Sequence, residues 1–124
     1  MTALATTTRE AIATLLASTT SRVVHSPAPK VPIPPCLVVI PDSPWIQIDR
    51  VGNPKRYELR LKVLAVARDN DDGMAELEDA VEDILTTLAT TCLVREVTPP
   101  QSTDIGAQGT VLVSEVKLSI QVKE

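Results

Sequence analysis

The segment "ARDNDDGMAELEDAVEDIL", residues 67 to 85, is the densest concentration of chemically able side chains in the chain: eight carboxylates fall within fifteen positions, with Arg68 as the sole basic residue among them. Carboxylates at that density bind a hard cation, work as an acid and base pair, or offer a charged face to a partner. The run "DNDDG" tests the first use. With Gly73 at the sixth position of an EF-hand loop, Asn70 and Asp72 take the third and fifth positions, but Arg68 takes the first and Asp79 the twelfth, where an acid and a bidentate glutamate are required. A cation at the first ligand position repels the metal, so no metal site is assigned. An acid and base pair needs a cleft that drives two pKa values apart. Here Met74, Leu77, Val81, Ile84 and Leu88 recur at steps of three and four, the buried stripe of an amphipathic helix. Glu76, Glu78, Asp79, Glu82 and Asp83 then face mainly outward.

A solvated helix face is the plain reading of these acids, and it carries a penalty. Asp71 or Asp72 as N-cap and Glu76 in the first turns suit the helix dipole. Asp79 with Asp83, and Glu78 with Glu82, are like-charged pairs four residues apart that cost about 0.2 to 0.5 kcal/mol each. No lysine or arginine between Gly73 and Thr91 relieves them. Arg50, Lys55, Arg56, Arg60, Lys62 and Arg68 meanwhile hold half of the 12 basic residues. The chain is electrically two-sided, and the expectation is that the basic hairpin and strand of one copy (Arg50, Lys55, Arg56, Arg60, Lys62) meet the acidic helix of the next (Glu76, Asp79, Glu82, Asp83). Pairing within one chain across the sheet edge is the competing explanation. Head-to-tail contacts of this kind close into rings.

Other chemistry is thin. His25, the only histidine, has no serine or cysteine and acid pattern around it from which a triad is built. Gly52, Gly73, Gly106 and Gly109 make no phosphate-binding loop. Cys36 and Cys92 lack partners at metal spacing and are expected as free, buried thiols. Trp45 reads as a core or rim anchor. The sequence makes no case for an enzyme and assigns no cofactor.

These residues have to be positioned by one ordinary domain, residues 1–124, with 44% hydrophobic and 23% charged residues. No apolar run approaches the roughly 18 residues of a membrane span. The first residues do not read as a signal peptide, so a soluble protein made in a cytoplasm is expected. The net charge of -4 disfavours nucleic-acid binding resting on total charge, and the absence of phenylalanine, with Trp45 and Tyr57 the only aromatics, disfavours a base-stacking platform.

Spacing predicts a first helix over 3–18, with Thr2 as N-cap and Leu4, Ala5, Thr8, Ala11, Ile12 and Leu15 on its stripe. A short strand at 22–25 leads into a proline-rich connector, 26–35, then into two short strands, "CLVVI" closed by Pro41 and "PWIQI" with Ile46 and Ile48 on one face. Alternation predicts long strands over 56–67 and 111–123. In the first, Tyr57, Leu59, Leu61, Val63 and Ala65 oppose Glu58, Arg60 and Lys62. In the second, Leu112, Val116, Leu118, Ile120 and Val122 face in. A helix over 73–90, a strand "CLVREVT" and a polar loop over 99–110, expected to be mobile alone, lie between them. The fold expected is α+β: a mixed or antiparallel β-sheet with two long strands, covered by two α-helices.

This order of elements resembles the tail terminator family of long-tailed bacteriophages, the actinobacteriophage type in particular. The resemblance covers nearly the whole chain. It rests on the N-terminal helix, the proline-rich passage into "PPCLVVIPDSPWI", the strand "RYELRLKVLAVA", the helix "DNDDGMAELEDAVEDIL" and the closing strand "VLVSEVKLSIQVKE". It implies a virion structural protein at the tail-neck junction, assembled in the host cytoplasm. A homohexameric ring would cap the tail tube, end its polymerisation and provide the joint to the head connector, with DNA passing the lumen without specific binding. The partners implied are further copies of the chain, the tail tube protein and a connector or neck protein, with no membrane. The family has no active site to transfer; by region, Gly52, Asn53, Gln101, Asp104 and Gln108 are candidates for contact with tube or neck. Another head-to-tail adaptor or neck protein, or a small-ligand-binding regulatory domain with a concave apolar pocket, are the alternatives.

Overall fold

The computed structural model describes residues 4–19, 23–25, 35–48, 56–89, 91–104 and 109–123. In chain order the elements are α1 (Leu4–Thr19), β1 (Val23–His25), β2 (Cys36–Ile48), β3 (Arg56–Arg68), α2 (Gly73–Leu88), β4 (Leu93–Val97), β5 (Gln101–Asp104) and β6 (Thr110–Lys123). The architecture is α+β, with a mixed, open sheet in the order β1-β2-β3-β6-β4 and β5 also on β6. β1 runs parallel to β2 and the other pairings are antiparallel.

The sheet is built around β3 and β6, which pair without interruption from Arg56 opposite Lys123 to Arg68 opposite Val111. Alternation fixes that register, because a slip of one residue would turn every apolar side chain to the wrong face. Leu59, Leu61, Val63, Ala65 and Ala67 of β3 face the same side as Leu112, Val116, Leu118 and Ile120 of β6, and both helices pack there. Ile12 and Leu16 of α1 and Leu77, Ala80, Ile84 and Leu88 of α2 close that core. Burying each such Leu or Ile stabilises the fold by about 1.5 to 3 kcal/mol.

Several details depart from the sequence reading. Met74, expected in the buried stripe of α2, is 47% exposed, and Gly73 and Ala80 take the buried positions instead. In α1, Leu16 is buried and Ala11 is exposed, so the stripe is rotated toward Ile12 and Leu16. Thr2 and the prolines of 26–34 lie outside the described residues. "CLVVI" and "PWIQI" are one strand, not two: β2 pairs with β3 on both sides of a bulge in which Asp42 to Trp45 stand opposite the single residue between Leu59 and Leu61.

The segment 99–110 is not simply a loop. After Pro99 and Pro100, Gln101–Asp104 forms β5, so β4 and β5 follow one another along the same edge of β6. Thr98 holds the join. Its N–H donates to the Glu115 carbonyl at 2.9 Å, its Oγ1 accepts from the Glu115 N–H at 3.0 Å, and its carbonyl accepts from Ser114 Oγ at 2.7 Å.

The face of the sheet away from the helices is divided. Toward Arg68 it carries a second apolar cluster of Cys36, Val38, Val66 and Val111, flanked by Ile40, Leu64 and Val113. Toward Arg56 it carries charge. Cys36 and Cys92 are both free and buried, and they sit in the two different clusters on opposite faces, which rules out a bond between them. Burial raises both thiols, Cys92 to about 11.

Candidate functional site

α2 presents its acids because its start is fixed by the turn that precedes it. The chain leaves β3, the Asn70 carbonyl accepts from the Gly73 N–H at 3.0 Å, and Asn70 Oδ1 accepts from the Asp72 N–H at 3.0 Å. Asp72 occupies the N-cap position but caps with no side-chain hydrogen bond; its carbonyl accepts the first helical bond from Glu76 N–H. Gly73 is fixed by space: a Cβ there would lie 1.8 Å from the Arg68 carbonyl oxygen. The run "DNDDG" is therefore a strand-to-helix turn. Its Asp69 serves another purpose, with Oδ2 accepting from Ser102 Oγ at 2.8 Å and Thr110 Oγ1 at 2.9 Å and so tying both strands of the β5–β6 hairpin to the turn.

From that start, Glu78, Asp79 and Glu82 are exposed and Glu76 and Asp83 half-buried. Among the described residues, Glu76, Glu78 and Glu82 have no basic side chain within ion-pair distance. Glu78 and Glu82 also border a groove of about 330 Å³ between α2 and the β4–β5 edge, floored by Leu77, Val81, Leu85, Val97 and Pro100. Of its remaining polar groups, Ser114 Oγ donates to the Thr98 carbonyl and Thr98 Oγ1 accepts from the Glu115 N–H. The groove is thus an apolar trough with an acidic rim.

The basic residues divide differently from the expectation. Arg60 Nε lies 3.2 Å from Glu58 Oε1, and Lys62 Nζ lies 3.2 Å from Glu115 Oε1, both on the polar face of the sheet. These two pair with acids of the sheet itself and not with the acidic helix. Both pairs are partly exposed and so bind weakly. The side chain of Arg56, and Arg50, Gly52, Asn53, Lys55 and Gln108 altogether, lie outside the described residues. Gln101 and Asp104 are exposed at the two ends of β5, opposite Val113 and Thr110.

The polar face also holds an ion pair that the sequence did not announce. Arg95 Nη2 donates to Asp42 Oδ2 at 2.6 Å, linking β4 to the β2 bulge across the two intervening strands. Burial pushes the Asp42 carboxyl up, but the Ser43 N–H, the Arg95 guanidinium and Lys117 together hold it below the ordinary aspartate range. Glu58 is lowered as well, first by the Ser119 hydroxyl that donates to it and then by Arg60. Pinned through Asp42, the bulge leaves Trp45 45% exposed, at the rim and not in the core.

Sequence reasoning missed the groove, which needs α2 and the β4–β5 edge together. The repulsive Glu78 and Glu82 pair was the available signal for its rim. No helix among the described residues is long and apolar enough to cross a membrane. No family model matches the chain, and no curated protein matches it.

Proposed function

We propose that the chain is a structural virion protein whose copies form a homohexameric ring that caps a phage tail tube, ends tube polymerisation and provides the joint to the head connector. The observation that carries the self-assembling part of this reading is the acidic, apolar-floored trough along α2, beside an open sheet edge. Uncompensated like charges on a helix are a standing penalty, and a basic partner removes it. A trough that takes a different part of the next copy makes the contact heterologous, and heterologous contacts whose rotation closes form rings. The tail context rests on the resemblance in the order of elements, to which the first helix, the two long strands and the acidic helix belong. A net charge of -4 suits a channel through which DNA slides, because few phosphate contacts mean weak binding. The tube protein and a connector are the neighbouring partners in this reading, and no catalytic role is assigned.

A ligand-binding role finds less support, since the two hydroxyl groups lining the trough are bonded to backbone groups. A different neck adaptor remains the nearest alternative and differs in its ring partner. The test is light scattering on the purified protein at low and high salt, with and without polymerising tube protein. A sixfold mass, or a ring that forms only on tubes and halts their growth, supports the reading. A monomer indifferent to salt and to tubes overturns it, and binding to connector rings without effect on tubes selects the adaptor.

A further inference from the structure

Two irregularities interrupt the strands that flank β3 and β6, and they lie at the same level of the sheet. In β2, Asp42 to Trp45 stand opposite the single residue between Leu59 and Leu61. In β4, Arg95 is an extra residue between Val94 and Glu96, which pair with the adjacent Leu118 and Lys117. One rung sets the level: Pro41 pairs with Leu61, Leu61 with Leu118, and Leu118 with Val94. A bulge frees a residue from the ladder and re-aims its side chain. Here the freed residues meet, with Arg95 Nη2 at 2.6 Å from Asp42 Oδ2 over β3 and β6. Their strands are three strand spacings apart, about 14 Å. The other ion pairs of this face reach less far. Arg60 and Glu58 belong to one strand, and Lys62 with Glu115 and Lys117 with Glu96 join neighbouring strands.

We propose that the pair of Asp42 with Arg95 is a latch that makes the β2 bulge and β4 one cooperative unit, able to open together while the β3–β6 ladder stays closed. Two opposed features make it a joint with two positions. Closed, it gains a charge-assisted hydrogen bond on a buried Asp42. That same arrangement buries Arg95 Nε without a hydrogen-bond partner among the described residues, a donor that opening gives to water. The latch also carries a signal between distant features. Val97, two positions beyond Arg95, forms part of the trough, and Trp45, 45% exposed, ends the bulge at the other side of the sheet. A displacement of β4 at the trough therefore reaches Trp45.

Trp45 is the sole tryptophan, so its emission and acrylamide quenching report the bulge, while amide exchange of residues 93–97 reports β4. Each end is perturbed and the other is read. Arg95→Met should change the emission and quenching of Trp45, and Asp42→Asn should accelerate exchange of 93–97 by about tenfold or more. The double substitution should accelerate it no further than the stronger single one, because both break the same contact. Lys62→Met, which breaks the pair with Glu115 between β3 and β6, should move neither readout. In the unsubstituted chain, amides of 46–48 and of 93–97 should open with one common dependence on denaturant, below that of the β3–β6 ladder, a check that needs no variant. Trp45 signals unmoved by Arg95→Met, additive effects of the two substitutions, equal effects from Lys62→Met, or separate openings of 46–48 and 93–97 would each overturn the latch.

Discussion

Asp42 shows how a single residue joins sequence, geometry and stability. It begins the bulge, accepts from the Ser43 N–H at 2.8 Å and receives Arg95 from the far side of β6. Its folded pKa lies below the ordinary 3.8, so its contribution is complete above that value and is lost as pH falls through the lower folded value. Glu58 has the same sign below its ordinary 4.5. Asp42→Asn should therefore flatten the acid limb of the stability curve below about pH 4 and cost about 1.5 to 3 kcal/mol at neutral pH, as read by urea melts across pH; an unchanged acid limb would count against it. Gly73 gives a prediction whose sign is unusual. At an ordinary helix position Gly→Ala stabilises by about 1 kcal/mol. Here the added carbon meets the Arg68 carbonyl, so Gly73→Ala should lower stability by about 1 to 3 kcal/mol, with a reduced urea midpoint as the check. The burial of Cys36 and Cys92 was legible from residue type and chain size. The Asp42 to Arg95 pair was not, because Pro41 reads as the end of a strand and nothing local marks a partner fifty-three positions away.

At the scale of elements, legibility followed periodicity. β3, β6 and α2 announce themselves because one buried face imposes a period on many residues, and their bounds fall within two positions of the expected ones. β5 has the sequence "QSTD", all exposed, and carries no pattern that separates strand from loop. It is a strand because β6 extends past β4 and leaves unpaired backbone beside it, and because Asp69 reaches out from the strand-to-helix turn to Ser102 and Thr110. The hairpin also needs Gly109, whose φ of +87° is the left-handed region that favours glycine. Asp69→Ala should then release β5 locally. Amide exchange of residues 101–104 should accelerate while that of the β3–β6 ladder stays as in the parent. If exchange accelerates across β4 as well, Asp69 supports the whole edge and the local account is wrong.

At the scale of the whole molecule, the proposed assembly sets the stability of a single chain against its association. Glu78 and Glu82 are one turn apart on α2 and both border the trough. In an isolated chain their repulsion costs about 0.2 to 0.5 kcal/mol. In an assembly with basic residues opposite, the same charges draw the partner in, and more strongly at low salt, where screening is weakest. Neutralising both as Glu78→Gln with Glu82→Gln separates the two effects, because the chemistry drives them in opposite directions. The monomer should melt slightly higher, since the repulsion is gone. Its association should become weaker and lose most of its salt dependence, and the net charge falls in magnitude from -4 to -2 by removal of two carboxylates. Calorimetry at low concentration reads the first effect and light scattering across salt reads the second. A rise in both would mean that the acids merely burden the helix and that copies meet elsewhere. A fall in both would mean that Glu78 and Glu82 stabilise their own chain. Only a rise in melting temperature joined to a loss of association fits acids retained on α2 for the sake of a neighbour.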